Sequence, residues 1–251
     1  PEQVEARRAA ILDAAVSMLR ERPVADISLR ELSERIGLAK SNVLRYFDSR
    51  EAIFLEVLDQ VWSDWLDALE AEFDTLRAPA DGYRREVEVA SVVAAALVRD
   101  PLLCELLAAM AGVLERNISV DFARTFKGRA RVNAGRAEVL VRRRLPELSA
   151  AAASQFVGTV GVLLAGLWPH ANPTDAVATV MAEFGAPDAR AMFGQTLTQA
   201  LINQLVGLAA REAGGFGPGG GSEVGVGTVA KRRAGPPETT PEDNRIPSVV
   251  E

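Results

Sequence analysis

The strongest constraint on the fold is the segment 28–50, which reads SLRELSERIGLAKSNVLRYFDSR. Ser28 precedes Glu31 by three residues, which is the spacing of a capping box at the start of a helix. The apolar residues that follow recur every three or four positions and form one stripe: Leu29, Leu32 and Ile36. Gly37 comes next, and glycine accepts the positive φ of a sharp turn. The pattern predicts a short helix that ends in a turn.

A second short helix is predicted after this turn. Its apolar side is formed by Val43, Leu44 and Phe47. The residues on its other side mostly donate hydrogen bonds, and they are Lys40, Ser41, Asn42, Arg45 and Tyr46. A helix with an apolar back and a donor-rich front fits the major groove of duplex DNA. The spacing alone leaves an ordinary helical hairpin with a solvated face as an equal alternative.

Five short runs occur in the N-terminal region in a fixed order: ILDAA at 11–15, SLREL at 28–32, GLAKS at 37–41, RYF at 45–47 and SREA at 49–52. In order and spacing, the stretch from Ile11 to Leu58 resembles the N-terminal domain of the TetR/AcrR family of bacterial transcriptional regulators. Four positions depart from the family pattern. Ala39, Leu44, Tyr46 and Arg50 stand where the family usually has Ser or Thr, Tyr, His and Lys, respectively.

The resemblance implies a three-helix DNA-binding domain over residues 1–50, with the helix-turn-helix at about 28–47. It assigns phosphate contacts to Ser28, Lys40, Tyr46 and Arg50, where Tyr46 takes over a role that Leu44 has no group to perform. It assigns base-edge contacts to Arg30, Ser41, Asn42 and Arg45. Arginine binds guanine and asparagine binds adenine through two hydrogen bonds each, so these residue types suit sequence reading.

Composition indicates an all-α protein. Apolar residues make up 48% of the 251 residues, and alanine and leucine, which favour packed helices, dominate. The net charge of −6 does not exclude DNA binding, because only the contacting face has to be positive. Cys104 is the only cysteine, which excludes an intrachain disulfide and a thiolate metal cluster and favours a reducing compartment.

The sequence gives no expectation of a membrane partner. The longest apolar runs lie near Val89–Val98 and Val157–Leu167, and both are shorter than the ~20 residues that a membrane-spanning helix needs. The N-terminus is charged and amphipathic, unlike a signal peptide. We therefore expect a cytoplasmic protein.

Catalysis is not expected. His170 is the only histidine, and no G-x-S-x-G pattern accompanies it. Phosphate-binding loops, a dinucleotide fingerprint and metal-ligand spacings are also missing from the sequence, so no cofactor and no metal is predicted. The alternative to a regulator is a helical protein-interaction module without sequence-specific DNA binding. That alternative accounts for the C-terminal half but not for the donor-rich front of 40–46.

Helical periodicity continues through residues 51–212. A long helix, Arg50–Leu76, has an apolar stripe that outlasts the first domain, so it is expected to bridge into a second one. Its far half is acidic, whereas the second half of the helix Val120–Leu145 is basic. That basic run is either a site for an anionic ligand, a solvated face, or a partner of the acidic half, and the last two are favoured.

The resemblance implies that residues 51–212 form a ligand-binding and dimerisation domain. In the family, the last two long helices pair with their copies. Here those helices are predicted at Ser149–Trp168, ended by Pro169 and Pro173, and at Ala189–Arg211, with dimerisation assigned to 154–168 and 191–210. The interface residues expected on them are Phe156, Val160, Leu164, Leu197, Leu201 and Leu205. An isologous dimer is the commonest closed assembly.

The family's effector pocket lies inside this second domain. The candidates to line it are Trp65, Phe73, Val93, Leu97, Leu103, Leu107, Met110, Phe122, Phe126, Leu163 and Trp168. At helical spacing, most of these are expected to be plain core. Their character implies a small apolar or aromatic effector with few polar anchors.

The last segment, 213–251, is rich in glycine and proline and is predicted to be a disordered tail. Its run Lys231-Arg232-Arg233 is interpreted as a solvated run rather than a DNA contact. The whole chain is then expected to be a repressor that binds a palindromic operator as a homodimer and is released by its effector.

Overall fold

The computed structural model describes residues 2–76 and 82–214, and all regular structure in those ranges is helical. The α-helices are α1 Glu2–Glu21, α2 Leu29–Arg35, α3 Lys40–Val43, α4 Arg50–Thr75, α5 Arg84–Val98, α6 Pro101–Met110, α7 Val120–Arg144, α8 Ala150–Ala171, α9 Asp175–Glu183 and α10 Ala189–Ala213. Short 3₁₀ turns lie at Val24–Asp26 and Leu114–Arg116. The predicted tail, 213–251, lies outside the described residues except for its first two: Ala213 ends α10 and Gly214 is the C-cap of that helix, so these two are ordered rather than disordered.

The predicted capping box is present at the start of α2. The Ser28 hydroxyl accepts a hydrogen bond from the Glu31 backbone N–H (3.2 Å), and the Glu31 carboxylate accepts one from the Ser28 N–H (2.9 Å). Gly37 has a φ of +64° and turns the chain towards α3. The capping box therefore starts α2 and Gly37 forms the turn after it, as the sequence predicts.

The second helix of the pair is shorter than expected. Regular α-helix covers only Lys40–Val43, and residues 44–46 continue as turns. Ala39, at the N-cap position, has no oxygen to accept a backbone N–H, so no side chain caps this helix. Leu44, expected on the apolar back, is 42% exposed instead, because the shortened helix turns it away from the core.

Helix α4 joins two parts of the molecule, as the sequence predicts. Ser49 caps it by accepting from the Ala52 N–H at 3.1 Å. Its first turns pack against α1 and, with α1–α3, form the part that we call the head. Its remaining turns pack against α5, α6 and α7 in the body, which comprises α5–α10 and this half of α4.

Ion pairs join the acidic half of α4 to the basic half of α7. They connect Arg129 to Asp59 (3.3 Å), Arg136 to Asp67 (2.5 Å), and Arg143 to both Glu70 and Asp74 (2.8 Å each). Exposed pairs of this kind contribute only ~0–1 kcal/mol each. Their regular spacing nevertheless sets how the two helices align. These three arginines therefore pair with the acidic half of α4 and do not form a site for an anionic ligand.

Helix α8 does not end at Pro169 but continues to Ala171. Proline removes the hydrogen bond to the carbonyl four residues earlier, which belongs to Ala165. Ala165 is an exposed residue, where water can replace the missing hydrogen bond. With 22 residues, α8 is by length and composition apolar enough to cross a membrane. The sequence analysis considered only the shorter run 157–167 within this helix, which is too short to do so. Its buried side packs against α6, α7 and α10, and only 22% of its apolar stretch is buried within the chain.

The predicted dimer contacts are wrong for five of the six side chains. Phe156, Leu164, Leu197, Leu201 and Leu205 are at most 1% exposed within a single chain. Helix α10 packs along α5 and α8, so this apolar stripe faces the chain's own core. The sixth residue, Val160, is half-buried and lines a cavity.

A different apolar surface is left uncovered on α8 and α9. Val162 of α8 is 72% exposed. Helix α9 has no buried residue, and its Val177, Val180 and Phe184, spaced at helical intervals, are all exposed, Phe184 by 82%. An amphipathic helix normally buries such a stripe, so we call these four residues the outer apolar face.

Candidate nucleic-acid interface and effector cavity

The front of the helix-turn-helix is exposed, as its residue types predict. Lys40, Ser41, Asn42 and Arg45 are all exposed on α3 and the turn after it. On the opposite side, Val43 and Phe47 are buried in the head. The buried pair fixes the orientation of the segment, so these four donor side chains point away from the protein together.

Helix α1 fastens this segment from behind. Arg8 donates to the Tyr46 backbone carbonyl, pairs with Glu56 at 2.5 Å, and lies over the Phe47 ring with its guanidinium carbon 4.3 Å from the centroid. Tyr46 itself is half-buried and packs against the core. The sequence did not indicate Arg8, because its partners lie 38 and 48 residues further along the chain.

Arg50 points into the head rather than outwards. Its guanidinium donates to the backbone carbonyls of Ile27 and Val24 and to the Glu51 carboxylate at 2.8 Å. It therefore holds the connection between α1 and α2 onto α4. The expectation that Arg50 binds a phosphate is corrected, because its side chain is only 17% exposed and each of its three nitrogens already donates to a group of the head.

The two expected contact residues on α2 lie at its first turn. Ser28 is exposed, and its hydroxyl donates to Glu31 Oε2 at 2.6 Å. Arg30 is exposed over 83% of its side chain and pairs with Glu34 at 2.7 Å. Bonds from the Ser28 hydroxyl and N–H, together with Arg22, lower the pKa of Glu31 to about 2. This ionised carboxylate stabilises the helix start that presents both residues.

A cavity of about 270 Å³ lies between α4, α5, α6, α7 and α8. Six of the predicted pocket residues line it: Trp65, Val93, Leu97, Leu103, Leu107 and Met110. The sequence analysis missed the remaining lining residues, which come from α4, α7 and α8: Trp62, Leu69, Ala134, Ala137, Glu138, Val141, Ser154, Val157, Gly158 and Gly161. The expected interface residues Phe156 and Val160 also line it. The cavity depends on how five helices pack, and no local pattern carries that information.

The other five pocket candidates lie elsewhere. Phe73 and Phe126 are fully buried core residues, and Phe122 and Leu163 are half-buried outside the cavity wall. Trp168 stacks edge-on against Phe193, with ring centroids 5.2 Å apart, under the Arg190 guanidinium. These five side chains do not line this cavity, but Trp168 lines the larger cleft described next.

A second, larger cleft of about 770 Å³ separates the head from the body. Glu105 of α6 bridges it: Oε1 accepts from the Val24 N–H (2.9 Å) and Oε2 from the Trp168 Nε1–H (2.8 Å). Trp65 lines both cavities, and its buried Nε1–H has no acceptor among the described residues. Nothing in the local sequence indicated Glu105, because its partners are 81 and 63 residues away.

Residues 2–76 and 82–214 contain no cluster of three His, Cys, Asp or Glu side chains that would hold a metal ion. His170 is exposed near the end of α8.

An all-helical protein that presents a helix-turn-helix on a helical body belongs to the class of helix-turn-helix transcriptional regulators. Residues 11–57 match the family described as bacterial regulatory proteins, tetR family. Residues 59–212 match the family described as tetracyclin repressor-like, C-terminal domain. The chain belongs to the TetR family of transcriptional regulators, which confirms the resemblance and the all-α fold expected from the sequence.

Individual relatives match shorter stretches. The regulator RutR of Escherichia coli K12 is 35% identical over 89 residues, which are 34% of this chain and 42% of RutR. The regulator EthR of Mycobacterium tuberculosis H37Rv is 42% identical over 55 residues, 22% of this chain and 26% of EthR. The chain thus spans less than half the length of either relative.

Among solved structures, a TetR-family regulator from Pectobacterium atrosepticum superimposes with a TM-score of 0.52 at 18% identity. The match covers 83% of this chain and 96% of that one. At this identity the similarity shows a shared fold only.

Proposed function

We propose that the protein is a repressor that binds an inverted-repeat operator as a homodimer and is released by a small, mainly apolar effector. The observation that carries the DNA-binding part is the exposed front of Lys40, Ser41, Asn42 and Arg45 over a buried back. Such a front matches the donor and acceptor pattern of the major groove. The chromosome of a bacterium lies in its cytoplasm, so we place the protein there. The proposal includes no catalytic step and no cofactor.

In this proposal the eight expected contact residues divide into three groups. Base edges are bound by Arg30, Ser41, Asn42 and Arg45. Phosphates are bound by Ser28, Lys40 and Tyr46. Arg50 does not touch DNA but positions the start of α2 through its two carbonyl contacts.

The dimer forms through the outer apolar face rather than through the buried leucines. Val162 is exposed on α8, and Val177, Val180 and Phe184 are exposed on or just after α9, the next helix along the chain. Exposed apolar surface of this kind marks association sites. A two-fold dimer uses the same patch on both copies. It presents two heads to one duplex, which is why the operator is expected to be an inverted repeat.

The effector occupies the cavity between α4 and α8. It releases DNA only if it binds one arrangement of the heads more tightly than the other. Helix α4 lines the cavity and also supports the head, and Glu105 ties the body to the α1–α2 connection. These two elements are the physical route by which filling the cavity changes the separation of the heads.

Selection of bound duplexes from a random pool tests the proposal. We expect an inverted repeat to be enriched. The double variant with Asn42→Ala and Arg45→Ala, which lacks both side chains in each head of the dimer, should enrich no sequence. Enrichment of no sequence, by a folded protein, would contradict the proposal and favour the helical protein-interaction module.

A further inference from the structure

Glu138 is the only ionisable residue among those that line the 270 Å³ cavity. It lies on α7, where it is half-buried, and the wall around it is built of apolar, aromatic and small side chains. A cavity of this volume falls just below the ~300–1,000 Å³ typical of small-molecule sites, so it admits a small ligand. A carboxylate in such a wall is a chemical feature that a purely apolar ligand does not use.

Glu138 has no ion pair or hydrogen bond within residues 2–76 and 82–214. Three basic side chains near it on α7 have other partners. Arg136 and Arg143 pair with acidic residues of α4, and Arg142, one turn after Glu138, donates through its Nε to the Leu148 carbonyl at 3.2 Å. The half-buried Glu138 carboxylate therefore has no ion-pair partner among the described residues.

Removing a charged group from water is unfavourable unless an opposite charge or hydrogen-bond donors compensate. Two tryptophans, Trp62 and Trp65, line the same cavity, and the faces of indole rings attract cations. A bound cation would therefore gain from the Glu138 carboxylate and from the aromatic wall at once. A neutral ligand of the same shape would leave the carboxylate uncompensated.

We propose that the effector is an organic cation, with an apolar or aromatic body and an ammonium group placed at Glu138. This inference rests on the proposed function, because it names the ligand class of the same effector cavity. The cation's charge is met by Glu138, while its body contacts the apolar residues of α5, α6 and α8. The specificity of the site then depends on one carboxylate.

The test compares two probes of nearly identical shape, benzyltrimethylammonium and neopentylbenzene, which differ in one charged nitrogen replaced by carbon. Their dissociation constants are measured by calorimetry on the full chain. We expect the cation to bind at least about tenfold more tightly than its neutral isostere. In Glu138→Gln this preference should disappear, whereas Glu5→Gln, which makes the same change in net charge on exposed α1, should keep it.

Equal binding of the two probes, binding of neither, or a preference that survives in Glu138→Gln would each overturn the proposal. A Glu138→Gln variant that loses its dimer in sedimentation would also overturn it, because Glu138 would then pair with the second copy. Operator binding is measured on the same samples. If the operator is bound and a neutral ligand releases it, the effector class is wrong while the proposed regulator stands; if no operator is bound, the regulator itself fails.

Discussion

The head and the body build their sites in different ways. The front of the helix-turn-helix comes from residues within one short segment, and local features orient it: the capping box at Ser28, the Gly37 turn, and the buried Val43 and Phe47. The cavity of the body takes its walls from five helices spread over about 100 residues of chain, from Trp62 to Gly161. Function that rests on local geometry is visible in the sequence, whereas function that rests on packing appears only in the fold.

The largest expected effect distinguishes the buried leucine stripe of α10 from the outer apolar face, to which Val162 of α8 belongs. Leu201→Ala should destabilise the fold by ~2–5 kcal/mol, because it opens a cavity in the chain's own core. Val162→Asp should leave that stability nearly unchanged and dissociate the dimer instead, because Val162 lies on the outer apolar face. Denaturant unfolding and analytical ultracentrifugation measure the two quantities. If Leu201→Ala instead dissociated the dimer and Val162→Asp lowered the stability of the fold, the leucine stripe would be the dimer contact.

The next effect concerns the front of the head. Arg45→Ala should cost ~1–3 kcal/mol of affinity for the selected operator and little for random DNA, because it removes a base contact. Lys40→Ala is the matched control, and it should weaken both duplexes evenly and reduce the salt slope by about one unit. Gel shifts over a series of salt concentrations check this. Equal losses on both duplexes for Arg45→Ala would show that Arg45 contacts phosphate.

A smaller effect is expected where the head is poorly capped. Ala39→Ser gives α3 the N-cap oxygen that it lacks and should stabilise the protein by ~1 kcal/mol. Thermal unfolding measures the change, and Ala39→Val, whose side chain is larger than that of serine but has no hydrogen-bond acceptor, is the control. A gain in both variants would show that packing rather than capping is responsible.

The smallest expected effect is a pH dependence of stability that comes from the capping box between Ser28 and Glu31. The pKa of Glu31 is about 2 in the fold against an ordinary 4.5, so its bonds to Ser28 stabilise the head above pH 4.5. That contribution should fade as the pH falls from about 4.5 towards 2. Unfolding of wild type and Glu31→Gln at several pH values measures it. A difference between the two proteins that stays constant across this window would contradict the assignment.

The same contrast explains what the sequence predicted and what it did not. The capping box, the turn and the long α4 follow from side chains that interact over three or four residues. The sequence placed an acidic run on α4 and a basic run on α7, but it left pairing and a solvated face as alternatives, and only the packing of the two helices selects pairing. The direction of the Leu197–Leu205 stripe was not, because periodicity identifies an apolar face but not what covers it. Arg50 was misplaced for a related reason, since its carbonyl partners are 23 and 26 residues away.

The central claim is that two heads of one dimer bind one duplex. Fluorescence anisotropy on the selected inverted repeat and on its single half-site, at equal length and salt, tests this most directly. The account predicts two chains bound per repeat and a half-site affinity at least about tenfold lower, because the second head then has no specific partner. Equal affinity for the half-site and the repeat, with one chain bound to each, would contradict it.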